Sequence, residues 1–172
     1  MTRNVSDADI LWQPTREQMD NSRMAGFISF LEDRGYGPFA DYHALHRWSV
    51  QDLESFWAEV RDYCGLLWDT PAERVLANRR MPGADWFPGM RLNFARNLLR
   101  YADIDHGERE AVVSYSETRP VERYSGADLL QDAGALEAFL RQQGVTRGDR
   151  VAGIVTNGYE ALVGMLAATS MG

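Results

Sequence analysis

Apolar positions along this 172-residue chain follow one rhythm up to about residue 103 and another after it. In the first stretch they recur at steps of three and four. Thr15-Arg16-Glu17-Gln18 has the form of a capping box, with a hydroxyl at the cap and an amide side chain three residues on. Met24, Phe27, Ile28 and Leu31 follow at helical spacing, and Gly35 ends the run. Ser49 is read as opening a second helix, with Asp52 at its third position, where a carboxylate complements the helix dipole. Its expected stripe is Val50, Leu53, Trp57, Val60 and Cys64, widened by Phe56 and stopped by Gly65. On that phase Trp57 and Val60 anchor the helix and Glu59 faces water. Three prolines between Thr70 and Gly89 predict mostly irregular chain there. Residues 92–101 predict a short third helix.

Beyond a polar loop at 103–110 the period changes. Residues 111–117 and 121–124 read as short strands around the turn Thr118-Arg119-Pro120. Ser125 caps a long helix whose apolar positions Leu129, Ala133, Leu136 and Leu140 step by four, three and four, and Gly144 closes it. Residues 151–155 are mainly apolar without alternation, the signature of a strand buried on both faces. Asn157-Gly158-Tyr159-Glu160 then starts a helix, with Glu160 at the capping-box position. Strand, helix, strand, helix is a βαβα unit of the kind that builds parallel sheets. The fold class expected is therefore α/β, with a helical, aromatic-rich lead. The last helix, 161–171, carries no charge and wants cover all round. The unit lacks its next strand, so the chain reads as the first part of a longer polypeptide; the alternative is a small domain whose last helix sits in a dimer interface.

Composition narrows the chemistry. The chain is 45% hydrophobic and 25% charged, which excludes wholesale disorder, and its net charge of −7 argues against a phosphate-backbone binder. All 18 basic residues are arginine. Without lysine there is no Schiff-base lysine, lysine base or P-loop lysine. One cysteine, Cys64, excludes an internal disulfide and a cysteine-rich metal site. Residues 1–20 have no apolar core of a signal peptide, and the longest uncharged stretch, twelve residues, is short of the ~20 needed to span a bilayer. These point to a cytoplasmic protein without nucleic-acid or membrane partners.

No candidate site rises above a structural reading. Gly153-Ile154-Val155-Thr156-Asn157-Gly158 lies at a strand-to-helix turn, where α/β proteins bind phosphates, but it matches neither glycine-rich fingerprint and is read as a capped connection. His43 and His46 share a helix face with only Asp41 close by, too few donors for a metal. His106 sits in the polar loop, and Cys64 continues an apolar stripe as a core thiol. Arg79, Arg80, Arg91, Arg96 and Arg100 form the densest basic run, a possible partner for a nucleotide phosphate but read as interspersed surface charge. No serine has a G-x-S-x-G setting. No catalytic, cofactor-binding or metal residue is assigned.

Several strings carry a resemblance. Trp12-x-Pro14, the run Tyr42-His43-Ala44-Leu45-His46-Arg47-Trp48-Ser49-Val50, and Phe56-Trp57 resemble the lead segment of short-chain acyl-CoA synthetases. Trp86-Phe87-Pro88-Gly89-Met90-Arg91-Leu92-Asn93-Phe94-Ala95-Arg96-Asn97-Leu98-Leu99 is most similar to the acetoacetyl-CoA synthetases. Acetyl-CoA synthetases share the Leu-Asn-three-Asn core but usually continue with Cys-Leu-Asp, where Leu98-Leu99-Arg100 stands here. Gly148-Asp149-Arg150-Val151-Ala152 and the helix after it resemble the first βα step of adenylate-forming enzymes. The resemblance implies a helical lead segment over residues 1–102 and the start of an AMP-binding α/β domain over 103–172, truncated. It implies ATP, Mg2+ and CoA as cofactors, and acetoacetate as substrate, of the full-length enzyme, with the remainder of the same polypeptide as this chain's partner. The family's phosphate loop and its lysines are not among these residues, so the chain by itself is expected to be inactive. Acetyl- or propionyl-CoA synthetase, or a non-enzymatic interaction domain, are the alternatives.

Overall fold

The computed structural model describes residues 11–103 and 107–172. These residues divide into two compact units, one of residues 11–66 and 75–86, the other of 67–74, 87–103 and 107–172. The compositional boundary near 103 and the packing boundary differ, because the helix that precedes residue 103 packs within the second unit.

The first unit is mainly helical: α1 (Arg16–Asp20), α2 (Arg23–Asp33), α3 (Tyr42–Gln51) and α4 (Leu53–Tyr63), with β1 (Leu76–Asn78) paired antiparallel to β2 (Asp85–Trp86). The capping box at Thr15 is present, its hydroxyl accepting from the Gln18 N–H and the Gln18 side chain accepting from the Thr15 N–H. The single helix expected over 16–34 is broken into two, because Ser22 caps a new start by accepting from the Ala25 N–H. The second expected helix is likewise displaced. It begins at Leu53, and a helix that was not expected, α3, precedes it behind Asp41; the hydroxyl of Ser49, expected to be a cap, instead donates to the His46 carbonyl inside α3. Asp52 ends α3 and caps α4 in one residue, its carboxylate accepting from the Ser55 N–H. The hairpin of β1 and β2 lies in the stretch expected to be irregular.

Helix phase in α4 also departs from expectation. Phe56, Val60 and Tyr63 pack on the core of Phe27, Leu31 and Leu45. Trp57 is 40% exposed, and Glu59, expected in solvent, is only 5% exposed. The reason is a long-range partner: the Arg34 Nε lies 2.6 Å from the Glu59 Oε2, and its guanidinium also faces Asp62 at 3.5 Å and stacks over the Phe30 ring. A buried carboxylate is tolerated when paired in this way. Trp57 instead meets Trp86 edge-on at 5.6 Å, tying α4 to the hairpin. Cys64 is exposed at the C-cap of α4 and is not the core thiol expected.

The second unit holds α5 (Phe94–Asp103), β3 (Glu110–Ser114) paired antiparallel to β4 (Glu122–Ser125), α6 (Gly126–Gln142) and α7 (Tyr159–Ser170). The three helices enclose a core of Ala95, Leu99, Leu129, Ala133, Tyr159, Val163 and Leu166. Ser125 caps α6 in a full capping box with Asp128, and Gly144 adopts the left-handed φ of 86° that follows the helix end. The strand expected at 151–155 is not one here: no ladder joins it to another segment among the described residues, and Val151, Ile154 and Val155 are exposed. Apolar runs become strands only when a neighbouring backbone takes up their N–H and C=O groups. The fold is thus mixed helix with two small antiparallel sheets, and the parallel pairing of the expected βαβα unit is absent among the described residues. No helix among them is long and apolar enough to cross a membrane.

Candidate functional site

The turn at 153–158 leads into α7, whose N-cap is Gly158 with no side-chain cap hydrogen bond. Glu160 does not close the capping box expected of it. Its carboxylate instead accepts from the Arg119 Nη1 at 2.9 Å, joining the β3–β4 turn to the start of α7 across 41 positions of sequence. Arg119 also faces Glu122 at 3.7 Å. The hydrogen bond from Arg119 holds the Glu160 carboxyl below its ordinary range, and the same contact, with Glu122 behind it, raises the Arg119 guanidinium. Arg119 and Glu160 border a polar recess of about 250 Å³, lined among others by Ser114, Ser116, Thr118, Thr156 and Asn157. Two carboxylates answer the one guanidinium, so the recess has no surplus positive charge with which to hold a phosphate.

Tyr159, the first residue of α7, stacks flat on Tyr124 at 3.6 Å and donates its hydroxyl to the Asp132 Oδ2 at 2.9 Å. Burial first, and then Asp132, push its phenol well above the ordinary tyrosine value. It is a packed and anchored side chain, unsuited to giving up its proton.

The other sequence candidates are dispersed. His43 and His46 lie on α3 with Tyr42 against both rings, at 5.9 and 6.1 Å. Asp41, the nearest carboxylate, is engaged as the α3 cap through the Ala44 N–H at 2.7 Å. Among the described residues no group of three His, Cys, Asp or Glu side chains could hold a metal ion. His106 lies outside the described residues. The basic run is divided between the units: Arg79 faces Glu54 at 3.8 Å in the first, while Arg96 binds Asp69 at 2.9 Å in the second.

Two apolar grooves lie elsewhere among the described residues. One, about 340 Å³ in the first unit, is lined by residues including Met24, Phe27, Tyr42, Val60 and Cys64. The other, about 370 Å³, runs between 151–155 and the small-residue face of α7 at Ala161, Gly164 and Ala168. Sequence reasoning missed the Arg119–Glu160 and Arg34–Glu59 pairs, because no local pattern links residues 41 and 25 positions apart.

Comparison with known proteins follows the same outline. A family model described as acetyl-coenzyme A synthetase N-terminus matches residues 42–98. The acetoacetyl-coenzyme A synthetase of Rhizobium meliloti is 37% identical over 162 residues, which cover 94% of this chain and 24% of that protein. The acetoacetyl-CoA synthetase of Danio rerio is 33% identical over 175 residues, covering 99% of this chain and 25% of its own length. Among solved structures, acetoacetyl-CoA synthetase from Streptomyces lividans matches with a TM-score of 0.80 at 37% identity, covering 94% of this chain and 25% of that one. The chain therefore spans about a quarter of the length of the curated relatives it matches.

Proposed function

Because this chain belongs to the acetoacetyl-CoA synthetase family and corresponds to its N-terminal part, we propose that it is the scaffold-forming portion of an acetoacetate–CoA ligase. The observation that carries this reading is the match of nearly the whole chain, in sequence and in backbone, to one contiguous quarter of such enzymes. On this reading residues 1–102 are the lead segment and 103–172 begin the AMP-binding domain.

The chemistry belongs to the complete enzyme. A carboxylate of acetoacetate attacks the α-phosphate of ATP, forming acetoacetyl-AMP and expelling pyrophosphate. The thiol of CoA then attacks the acyl carbon, forming acetoacetyl-CoA and releasing AMP and the thiol proton. Mg2+ would neutralise the phosphates. Activation is needed because a free carboxylate has no leaving group; the mixed acyl–phosphate anhydride supplies one, AMP. The 172 residues contain no lysine to meet those phosphates. Their part is to fold the lead segment and to present the α7 groove and the 151–155 edge to later chain. The setting proposed is cytoplasmic, in lipid and ketone-body metabolism. Acetate or propionate as the acid is the second reading, favoured by the match to the acetyl-CoA synthetase N-terminus.

Two assays test the reading. The purified 172-residue chain should give no acetoacetate-dependent ATP–pyrophosphate exchange; exchange above a no-protein blank that survives repurification would overturn it. Grafted in place of the matching quarter of the Rhizobium meliloti relative, the chain should support that exchange. A chimera that folds and stays inert would remove the scaffold role.

A further inference from the structure

The Leu-Asn-three-Asn string found in sequence has a geometry that its family likeness does not explain. Asn93 and Asn97 lie four residues apart, one turn along the start of α5, and so share a face. The Asn93 Oδ1 accepts from the Arg96 N–H at 2.9 Å, capping α5. Its Nδ2 donates to the carbonyls of Thr169 at 2.9 Å and Ser170 at 3.0 Å, at the far end of α7. Both carbonyls lie in the last turn of α7, where a helix end leaves C=O groups without an i+4 partner; that of Thr169 also accepts from the Gly172 N–H at 3.3 Å. Asn97 repeats the device on a third segment: its Oδ1 accepts from the Leu67 N–H and its Nδ2 donates to the Leu67 carbonyl, both at 2.8 Å. The same Nδ2 also reaches the Asn93 carbonyl at 3.0 Å.

We propose that Asn93 and Asn97 are a positioning pair, a two-amide junction that locks the first turn of α5, the last turn of α7 and the chain at Leu67 to one another. The arrangement requires the amide group. Asn93 must accept on one side and donate on the other, and only an amide offers both from one planar end. Aspartate can accept but cannot donate, and it would set a carboxylate against two carbonyl oxygens. Serine keeps the cap but loses reach to α7. The junction goes beyond the ligase reading and does not depend on it, since every partner lies inside residues 67–172.

Amide hydrogen exchange on the 172-residue chain separates this role from a general contribution to folding. Asn93→Ala should speed exchange about tenfold both in the first turn of α5 and in the last turn of α7, as expected when a hydrogen-bonded junction opens locally. Asn93→Asp should split the two: α5 stays as protected as in the parent, and the last turn of α7 loses about tenfold. Asn97→Asp should free the Leu67 carbonyl side and loosen the amides around 67–70 while leaving α7 protected. Ser170→Ala, which removes the hydroxyl bond to Glu137 at 2.6 Å, is the control that should disturb the α7 end without α5. Equal protection of α7 in the parent and Asn93→Asp overturns the proposal, as does loss of α5 and α7 together in that variant. If circular dichroism shows Asn93→Asp to be unfolded, Asn93→Ser answers the same question: α5 kept and α7 loosened supports the junction, and both unchanged overturns it.

Discussion

Rings fill the interior of the first unit, whereas in the second one stacked pair, Tyr124 on Tyr159, stands among aliphatic side chains and small residues. Around Phe27, Leu31 and Leu45 stand Phe30, Tyr36, Phe39, Trp48, Phe56 and Tyr63, with ring centroids between 5.0 and 6.4 Å apart. Around Leu129 and Leu166 stand Ala95, Ala133, Ala167 and Val163, which let α5, α6 and α7 approach closely. Polar side chains then close the ends: Asn93 and Asn97, the Ser125–Asp128 box, and Thr146 donating to Asp149. Edge-to-face and tilted ring contacts tolerate a range of angles, each worth about 0.5–1.5 kcal/mol beyond area burial. A core of alanines and leucines has no such latitude, because small residues fit only one helix spacing. The first unit should accordingly be forgiving in detail, and the second should depend on particular hydrogen bonds.

The largest test removes one fully buried leucine from each unit. Leu31 and Leu166 both have no exposure. Each change to alanine should cost about 2–5 kcal/mol through lost transfer energy and the cavity left behind. With separate cores, Leu31→Ala should accelerate exchange across α2–α4 and spare α6, and Leu166→Ala should do the reverse. Acceleration of both units by either change would merge them into one cooperative body.

Next comes the phase of α4. Phe56→Ala, at a ring touching Phe27, Trp48 and Trp57, should cost about 3–4 kcal/mol. Trp57→Ala should cost less, about 1–2 kcal/mol, because the indole is 40% exposed. Glu59→Ala should also lower the midpoint measurably, since it strips Arg34 of its 2.6 Å partner, although a guanidinium that is 46% exposed regains water. Urea midpoints decide the matter: if Trp57→Ala falls below Phe56→Ala, the helix phase described here is wrong.

These cases show where sequence patterns were informative. The capping box at Thr15, the cap at Ser125, the α6 stripe and the glycine closing it are local, set by residues within four positions, and all are present. The α4 phase was misread by one position because Trp57 is the largest apolar side chain in its turn and Glu59 is charged. Only Arg34, brought up from α2, makes the charged face the inner one. The join of α3 to α4 through Asp52 hides from periodicity, since apolar positions continue across it. Residues 151–155 fail for a related reason. A strand is a property of two backbones, and the apolar run shows only one of them. The recess at Arg119 and Glu160 was invisible because it joins a turn to a helix start 41 positions away.

Acid should separate the two units more gently. Asp128, Glu137, Asp149 and Glu160 all have carboxyls held below their ordinary range, chiefly by bonds from Ser125, Ser170, Thr146 and Arg119 respectively. A folded value lower than the unfolded one means stability that is present above the unfolded value, about pH 4, and lost as pH falls through the folded one. All four lie in the second unit. Thermal midpoints followed from pH 6 down to pH 2 should fall, and Asp128→Asn, which still accepts a bond but does not titrate, should flatten part of that fall. An unchanged slope in Asp128→Asn would show that the α6 cap contributes nothing to acid sensitivity.

The smallest effect compares one motif in two settings. Thr15 and Ser125 each cap a helix with a reciprocal box, and each hydroxyl accepts from the N–H three residues on. Loss of such a cap typically costs about 1 kcal/mol. That cost reaches global stability only if the capped turn is bound to a core. The helix after Ser125 runs 17 residues and buries Gly126, Leu129 and Ala133, starting at its first position. The helix after Thr15 has five residues and buries none. Opening α1 therefore exposes little that was hidden, and it can fray without the rest of the unit noticing. Ser125→Ala should lower the urea midpoint by an amount equivalent to about 1 kcal/mol, whereas Thr15→Ala should leave it within error and raise exchange only at residues 16–20. If Thr15→Ala shifts the midpoint as far as Ser125→Ala, α1 is held by contacts that its own exposure does not reveal, and the contrast between a tightly coupled second unit and a forgiving first one fails at its N-terminal end.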